Sequence, residues 1–141
     1  MEWFVGRLID HIHLRVADFP ASRRFYLAVL EALEYPGPVE VDDVHLQADE
    51  LYVEGAADYT SRVHFAFQAT SREMVDRFHA AALSSGGKDN GRPGVRGYRS
   101  GYYAAFVLDP DGNNVEAVHQ GTTHRTASEI RIRPAGDGER R

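Results

Sequence analysis

HIHLRVADFPASRRFYLAVL (residues 11–30) and HFAFQATSREMVDRFHAAAL (residues 64–83) are two copies of one pattern. Laid over each other without a gap, they match His11 with His64, Arg24 with Arg77, Phe25 with Phe78, Ala28 with Ala81 and Leu30 with Leu83. Each copy alternates like a strand and then turns into an amphipathic helix. Self-similarity at a fixed offset is the mark of one supersecondary unit used twice. The repeat also gives each unit one histidine at the same place.

Around this stretch the alternation predicts a strand over 8–16, with Ile12, Leu14 and Val16 on one face. His11, His13 and Arg15 share the other face. Asp18 is suited to cap the following helix, Pro20 to sit in its first turn, and Pro36 to stop it beyond Leu33. Short strands are expected at 38–41, 43–48 and 50–54. In the second unit a strand over 62–69 carries Phe65, Phe67 and Ala69 on one face and His64, Ala66 and Gln68 on the other. Ser71 caps its helix, and Gly86-Gly87 ends it. Residues 88–97 (KDNGRPGVRG) read as a mobile loop because of their glycines and proline. Strands follow at Tyr102–Leu108 and Asn114–Val118, joined by the tight turn Asp109-Pro110-Asp111-Gly112. The modules thus span about 7–55 and 62–120, within one domain over 1–120. The rest, 121–141, is a polar tail in which Glu129–Arg133 is a candidate extra strand and the last residues are expected to be disordered.

At 141 residues and 43% hydrophobic, the chain is long enough to bury a core without covalent staples. It has no cysteine, so any metal site must use His, Asp, Glu or water. The net charge of -5 and the scattered arginines argue against a nucleic-acid partner. There is no signal pattern at the N-terminus and no membrane-length apolar run, which makes a cytoplasmic location the expectation.

The side chains that can carry chemistry are His11, His64 and Glu116, the last on the final strand just past the Asp-Pro-Asp-Gly turn. Two imidazoles and a carboxylate form a facial triad that holds a divalent cation and leaves positions open for substrate. Zinc, nickel, iron, cobalt and manganese all suit such a set. His13 points to the same face as His11, either as a pocket residue able to move a proton or as a hydrogen-bonded wall residue. His79 reads as structural, and His45, His119 and His124 as surface groups.

Three segments, DHIHLRVADFPASRRFY (10–26), VHFAF (63–67) and GYYAAFVLDPDGNNVEAV (101–118), resemble the vicinal oxygen chelate superfamily of glyoxalase I, bleomycin-resistance proteins, fosfomycin-resistance thiol transferases and extradiol dioxygenases. The resemblance implies an α+β fold of two βαβββ modules forming an open, barrel-like mixed sheet around a concave cleft. It also implies a homodimer, often with modules of different chains building one site. It matches His11, His64 and Glu116 to the family's metal positions. Extradiol dioxygenases place a tyrosine where Phe106 stands and a histidine further upstream, and both are missing here. Fosfomycin transferases have a threonine where His13 stands. Glyoxalase I adds a late glutamate from its first unit, and Glu54 in Leu51-Tyr52-Val53-Glu54 is the candidate for it, against an exposed strand-end charge. The expected function is therefore that of a glyoxalase-like lyase or isomerase. It would act on a small substrate with vicinal oxygens through a metal-stabilised enediolate, with Glu116, Glu54 or His13 moving the proton. Tyr98, Tyr102, Tyr103 and Phe106 are expected to line the pocket, although the tyrosines equally suit a dimer interface. The competing reading is a non-catalytic protein that sequesters a drug in an aromatic, acidic cleft.

Overall fold

A computed structural model describes residues 2–136. The elements run β1 (Ile12–Val16), α1 (Phe19–Ala32), β2 (Glu40–Val41), β3 (His45–Ala48), β4 (Leu51–Gly55), β5 (His64–Gln68), α2 (Arg72–Ser84), β6 (Lys88–Val95), β7 (Tyr103–Leu108) and β8 (Asn114–His119). Each half is strand, helix and three strands, as the repeat requires. The strands form two four-stranded sheets, ordered β1-β4-β3-β2 and β5-β8-β7-β6, instead of one continuous sheet, and neither closes into a barrel. In each half the first strand pairs parallel with the last, and the other pairs are antiparallel.

Local chemistry starts both helices in the same way. The Asp18 side chain accepts from the Ala21 N–H and the Ser71 side chain from the Met74 N–H, each satisfying an orphan donor of the first turn. Pro20 lies in the first turn of α1, where its missing N–H costs nothing. The helices bury Phe25, Tyr26 and Val29 on one side and Met74, Val75 and Phe78 on the other. These side chains join Leu14, Leu46, Val53, Val107 and Val115 in a single core beneath both sheets. The opposite face of each sheet is left open, and the histidines of interest lie there.

The Asp109–Gly112 turn fastens the halves together. Asp109, 4% exposed, accepts from the backbone of Asp111 and Asn113, from the Asn113 amide and from the Tyr26 hydroxyl of α1 at 2.5 Å. Burial, with the charge of Asp109 beside it, pushes the Tyr26 phenol well above its ordinary pKa. Asp111 accepts from the Ala17 N–H at the end of β1.

Three expectations are corrected. The first strand begins at Ile12, not at residue 8, and Leu8 is fully outside the packing. Residues 88–95 are not a loop but the edge strand β6. Its glycines fall at register shifts, and Pro93 is tolerated because an edge strand needs partners on one side only. Glu129–Arg133 forms no strand. The disorder expected at the extreme C-terminus falls on 137–141, outside the described residues, while 121–136 lack helix and strand.

Candidate functional site

Parallel pairing of β5 with β8 sets His64 opposite Asn114 and Ala66 opposite Glu116. The histidine and the glutamate are therefore diagonal neighbours on the open face, and His64 Nε2 lies 3.0 Å from Glu116 Oε2. Glu116 is only 3% exposed, an unusual place for a carboxylate unless its oxygens are satisfied. Its second oxygen is satisfied by the Tyr102 hydroxyl, which donates to Oε1. Burial, then this hydrogen bond and the charge of Glu116, raise the Tyr102 pKa far above that of a free phenol, so it remains a donor.

Aromatic groups frame the pair. Phe106, opposite Glu116 in the β7–β8 register, stands 5.9 Å from the His64 ring. Tyr98 packs edge-on against Tyr102 at 5.1 Å. Arg96 lies over the Phe106 ring, 5.5 Å from its centre. Tyr103 does not join them. It opens β7 three residues before Phe106 and so points to the other face, where its hydroxyl donates to Asp76 of α2 at 2.7 Å. This corrects its expected place in the pocket wall.

The first half repeats the construction with different residues. His13 pairs with Tyr52 and Arg15 with Glu54 across β1 and β4, and His13 Nε2 lies 3.0 Å from Glu54 Oε2. Both side chains are 37% exposed, so the carboxylate of this pair is open to solvent, whereas Glu116 is covered and only its His64 partner is exposed. Tyr52 stands edge-on to His13 at 4.8 Å and stacks on His45 at 5.5 Å. His45, expected to be a mere surface group, also pairs with Asp42 at 3.0 Å. Backbone N–H bonds from Val44 and His45 hold that carboxyl below its ordinary pKa. His79 pairs with Asp89 at 2.9 Å, as a structural residue does.

His11 precedes β1, and its Nδ1 lies 2.7 Å from Asp10. The helix caps Asp18 and Ser71 keep the same sequence offset as His11 and His64. In that frame, strand register makes Tyr52 the counterpart of Glu116. Glu54 is the counterpart only when His13 stands for His64. The structure thus brings together His64 with Glu116, and His13 with Glu54. Among the described residues of one chain, no three His, Asp or Glu side chains gather closely enough to hold a metal ion. The residue that sequence reasoning undervalued is Tyr102. Expected only as one of four pocket-lining residues, it carries the hydroxyl that Phe106 lacks. Its separation from Glu116 along a β-hairpin is the only signal for this in the sequence.

The family model described as Glyoxalase/Bleomycin resistance protein/Dioxygenase superfamily matches residues 8–117. No curated protein matches the sequence. Among solved structures, a glyoxalase/bleomycin resistance protein from Albidiferax ferrireducens T118 is 28% identical, with a TM-score of 0.64 over 79% of this chain and 98% of that one. A glyoxalase-related enzyme from Fulvimarina pelagi is 20% identical, with a TM-score of 0.61 over 80% and 88%. A glyoxalase I mutant from Zea mays is 24% identical, with a TM-score of 0.56 over 78% of this chain and 45% of that longer one. The last two likenesses concern the fold alone.

Proposed function

Because the chain belongs to the Glyoxalase/Bleomycin resistance protein/Dioxygenase superfamily, we propose that it is a divalent-metal-dependent enzyme of the glyoxalase-like kind. Its substrate is a small molecule with two vicinal oxygens. The observation that carries this reading is the buried Glu116 carboxylate held between the His64 imidazole and the Tyr102 hydroxyl. An imidazole nitrogen and a carboxylate oxygen turned toward one point, on an open sheet face framed by aromatic rings, form a donor pair that suits a zinc, nickel, iron, cobalt or manganese ion. Tyr102 fixes the carboxylate from behind, as outer partners of metal ligands do.

His64 and Glu116 would hold the ion, with His11 as the third ligand. Since His11 stands apart from them within one chain, a second copy of the chain supplies it, and the working form is a homodimer. When bound, the ion supplies positive charge to the substrate oxygens as the proton on the neighbouring carbon is moved. The chain's own part is to orient and to carry that proton. Glu116 is buried, its Oε1 is held by the Tyr102 hydroxyl and its Oε2 faces the His64 imidazole, which fits it to ligation. Glu54 is accessible and has His13 within hydrogen-bond reach, which fits this pair to accept and return a proton. Phe106 and the Tyr98–Tyr102 pair border the His64 side of the site.

Metal analysis of the purified protein tests the proposal. The expected result is stoichiometric divalent metal that chelation removes together with turnover of an α-hydroxycarbonyl. His64→Ala combined with Glu116→Gln should abolish metal binding while the fold persists, because the core rests on Phe25, Phe65, Phe67 and Phe78. A metal-free protein that instead retains a cationic aromatic drug would overturn the enzyme reading in favour of sequestration.

A further inference from the structure

We infer that Arg96 is the anchor for a distal carboxylate of the substrate, so that the ligand is an acid with vicinal oxygens at one end and an anionic group at the other. The inference rests on the function proposed above and names the substrate class of the same site. Arg96 is half-buried, and its position is built. Its backbone N–H donates to the Tyr102 carbonyl at 2.8 Å, which ties it to the residue that holds Glu116. Its guanidinium lies over Phe106 and donates to the carbonyls of Arg92 at 2.6 Å and Val95 at 3.4 Å. Two glycines leave the space it occupies. A Cβ on Gly94 would come within 3.0 Å of its Nη1, and a Cβ on Gly91 within 3.4 Å of its Nη2 and 3.0 Å of the Phe106 ring.

This cation also lacks a counter-charge. Among the described residues no carboxylate pairs with Arg96, whereas Arg15 on the other sheet is bonded to Asp58 at 2.5 Å and covered by Tyr59 at 4.6 Å. Arg96 uses two donors on backbone carbonyls, and a guanidinium has five, so a fork remains for a planar anion. Its distance from the chemistry sets the length of the ligand. Phe106 is their shared neighbour, 5.5 Å from the guanidinium and 5.9 Å from the His64 ring, which sets an upper limit on their separation. With bonds of about 2.8 Å at each end, a chain of about five carbons at most bridges that gap. The intervening surface is a phenyl ring, which suits an apolar middle.

Equilibrium binding to the full-length, metal-loaded protein tests this with two probes. 2-Oxoglutarate has the distal carboxylate, and 2-oxopentanoate has the same chain without it. The wild type should bind 2-oxoglutarate at least about tenfold more tightly, as one forked charge-assisted contact provides. Arg96→Gln should remove that preference while its affinity for 2-oxopentanoate and its metal content stay as in the wild type. A wild type that treats the two acids alike, or binds neither, overturns the anchor. So does a variant that keeps the preference, or one that loses both acids equally. Metal content is scored separately on the same samples. A wild type without metal refutes the function proposed above, whereas a metal-loaded wild type indifferent to the distal carboxylate refutes the anchor alone.

Discussion

Replacing Tyr102 with Phe deletes one oxygen and leaves the ring packed against Tyr98. It strips Glu116 of one of its two side-chain partners. Because Glu116 is 3% exposed, solvent cannot freely replace the lost donor. A hydrogen bond to a charged group contributes about 1.5–3 kcal/mol. Tyr102 is itself only half-buried, so the middle of that range, about 2 kcal/mol, is the expected loss. For a chain of this size that corresponds to a fall of roughly 1 M in the urea midpoint and roughly 4–8 °C in the thermal midpoint. The assay is urea unfolding at neutral pH of wild type, Tyr102→Phe, Glu116→Leu and the double variant. In the Glu116→Leu background the hydroxyl has no acceptor, and Tyr102→Phe should then cost less than about 0.5 kcal/mol. Equal losses in both backgrounds would show that the ring, not the hydrogen bond, stabilises the site, and would refute the reasoning.

His11 and His13 are expected to separate by role. His11→Ala should lose metal, while His13→Ala should keep it and change the pH dependence of turnover; metal analysis beside a rate profile decides, and the reverse pattern would make His13 the ligand. The raised phenols of Tyr26 and Tyr102 set an alkaline limit. The native state holds their protons to higher pH than the unfolded chain does, so their stability is complete below about pH 10 and is lost as pH climbs beyond it. Stability against pH should therefore fall only above that point, with tyrosinate absorbance delayed until unfolding, and Tyr26→Phe should soften the fall. Phe78→Ala, in a fully buried position, should cost about 3–5 kcal/mol in the same urea experiment.

The sequence repeat was legible because caps and core positions recur at one offset. Asp18 and Ser71 close equivalent helix turns, and Phe25 and Phe78 fill equivalent core positions. Strand β6 was illegible because KDNGRPGV carries turn chemistry throughout. What makes it a strand is pairing with β7, a tertiary fact that local propensity does not contain. The diagonal of His64 and Glu116 was half legible. Face parity follows from alternation, but adjacency depends on the parallel register of β5 and β8. The same cause hid the pairing of His13 with Glu54, since the repeat directs attention to His11.

The two halves use one geometric device for unlike ends. A parallel pair of strands sets a histidine diagonal to a glutamate, and a 3.0 Å pairing results in both sheets. Only the second half then covers its carboxylate, with Tyr102 as a lid that cannot lose its proton near neutral pH. A covered, doubly held carboxylate is a poor proton carrier and a good ligand, because its position is fixed and its charge is shielded from water. An accessible carboxylate with an imidazole beside it has the opposite virtues. Each sheet thus has one such diagonal, shifted by two residues in the repeat frame, and the difference in burial is what the proposed division of roles rests on. If that division holds, Glu54→Gln should slow turnover without releasing metal, whereas Glu116→Gln should release it; loss of metal from both variants alike would show that the two halves are ligands of one kind.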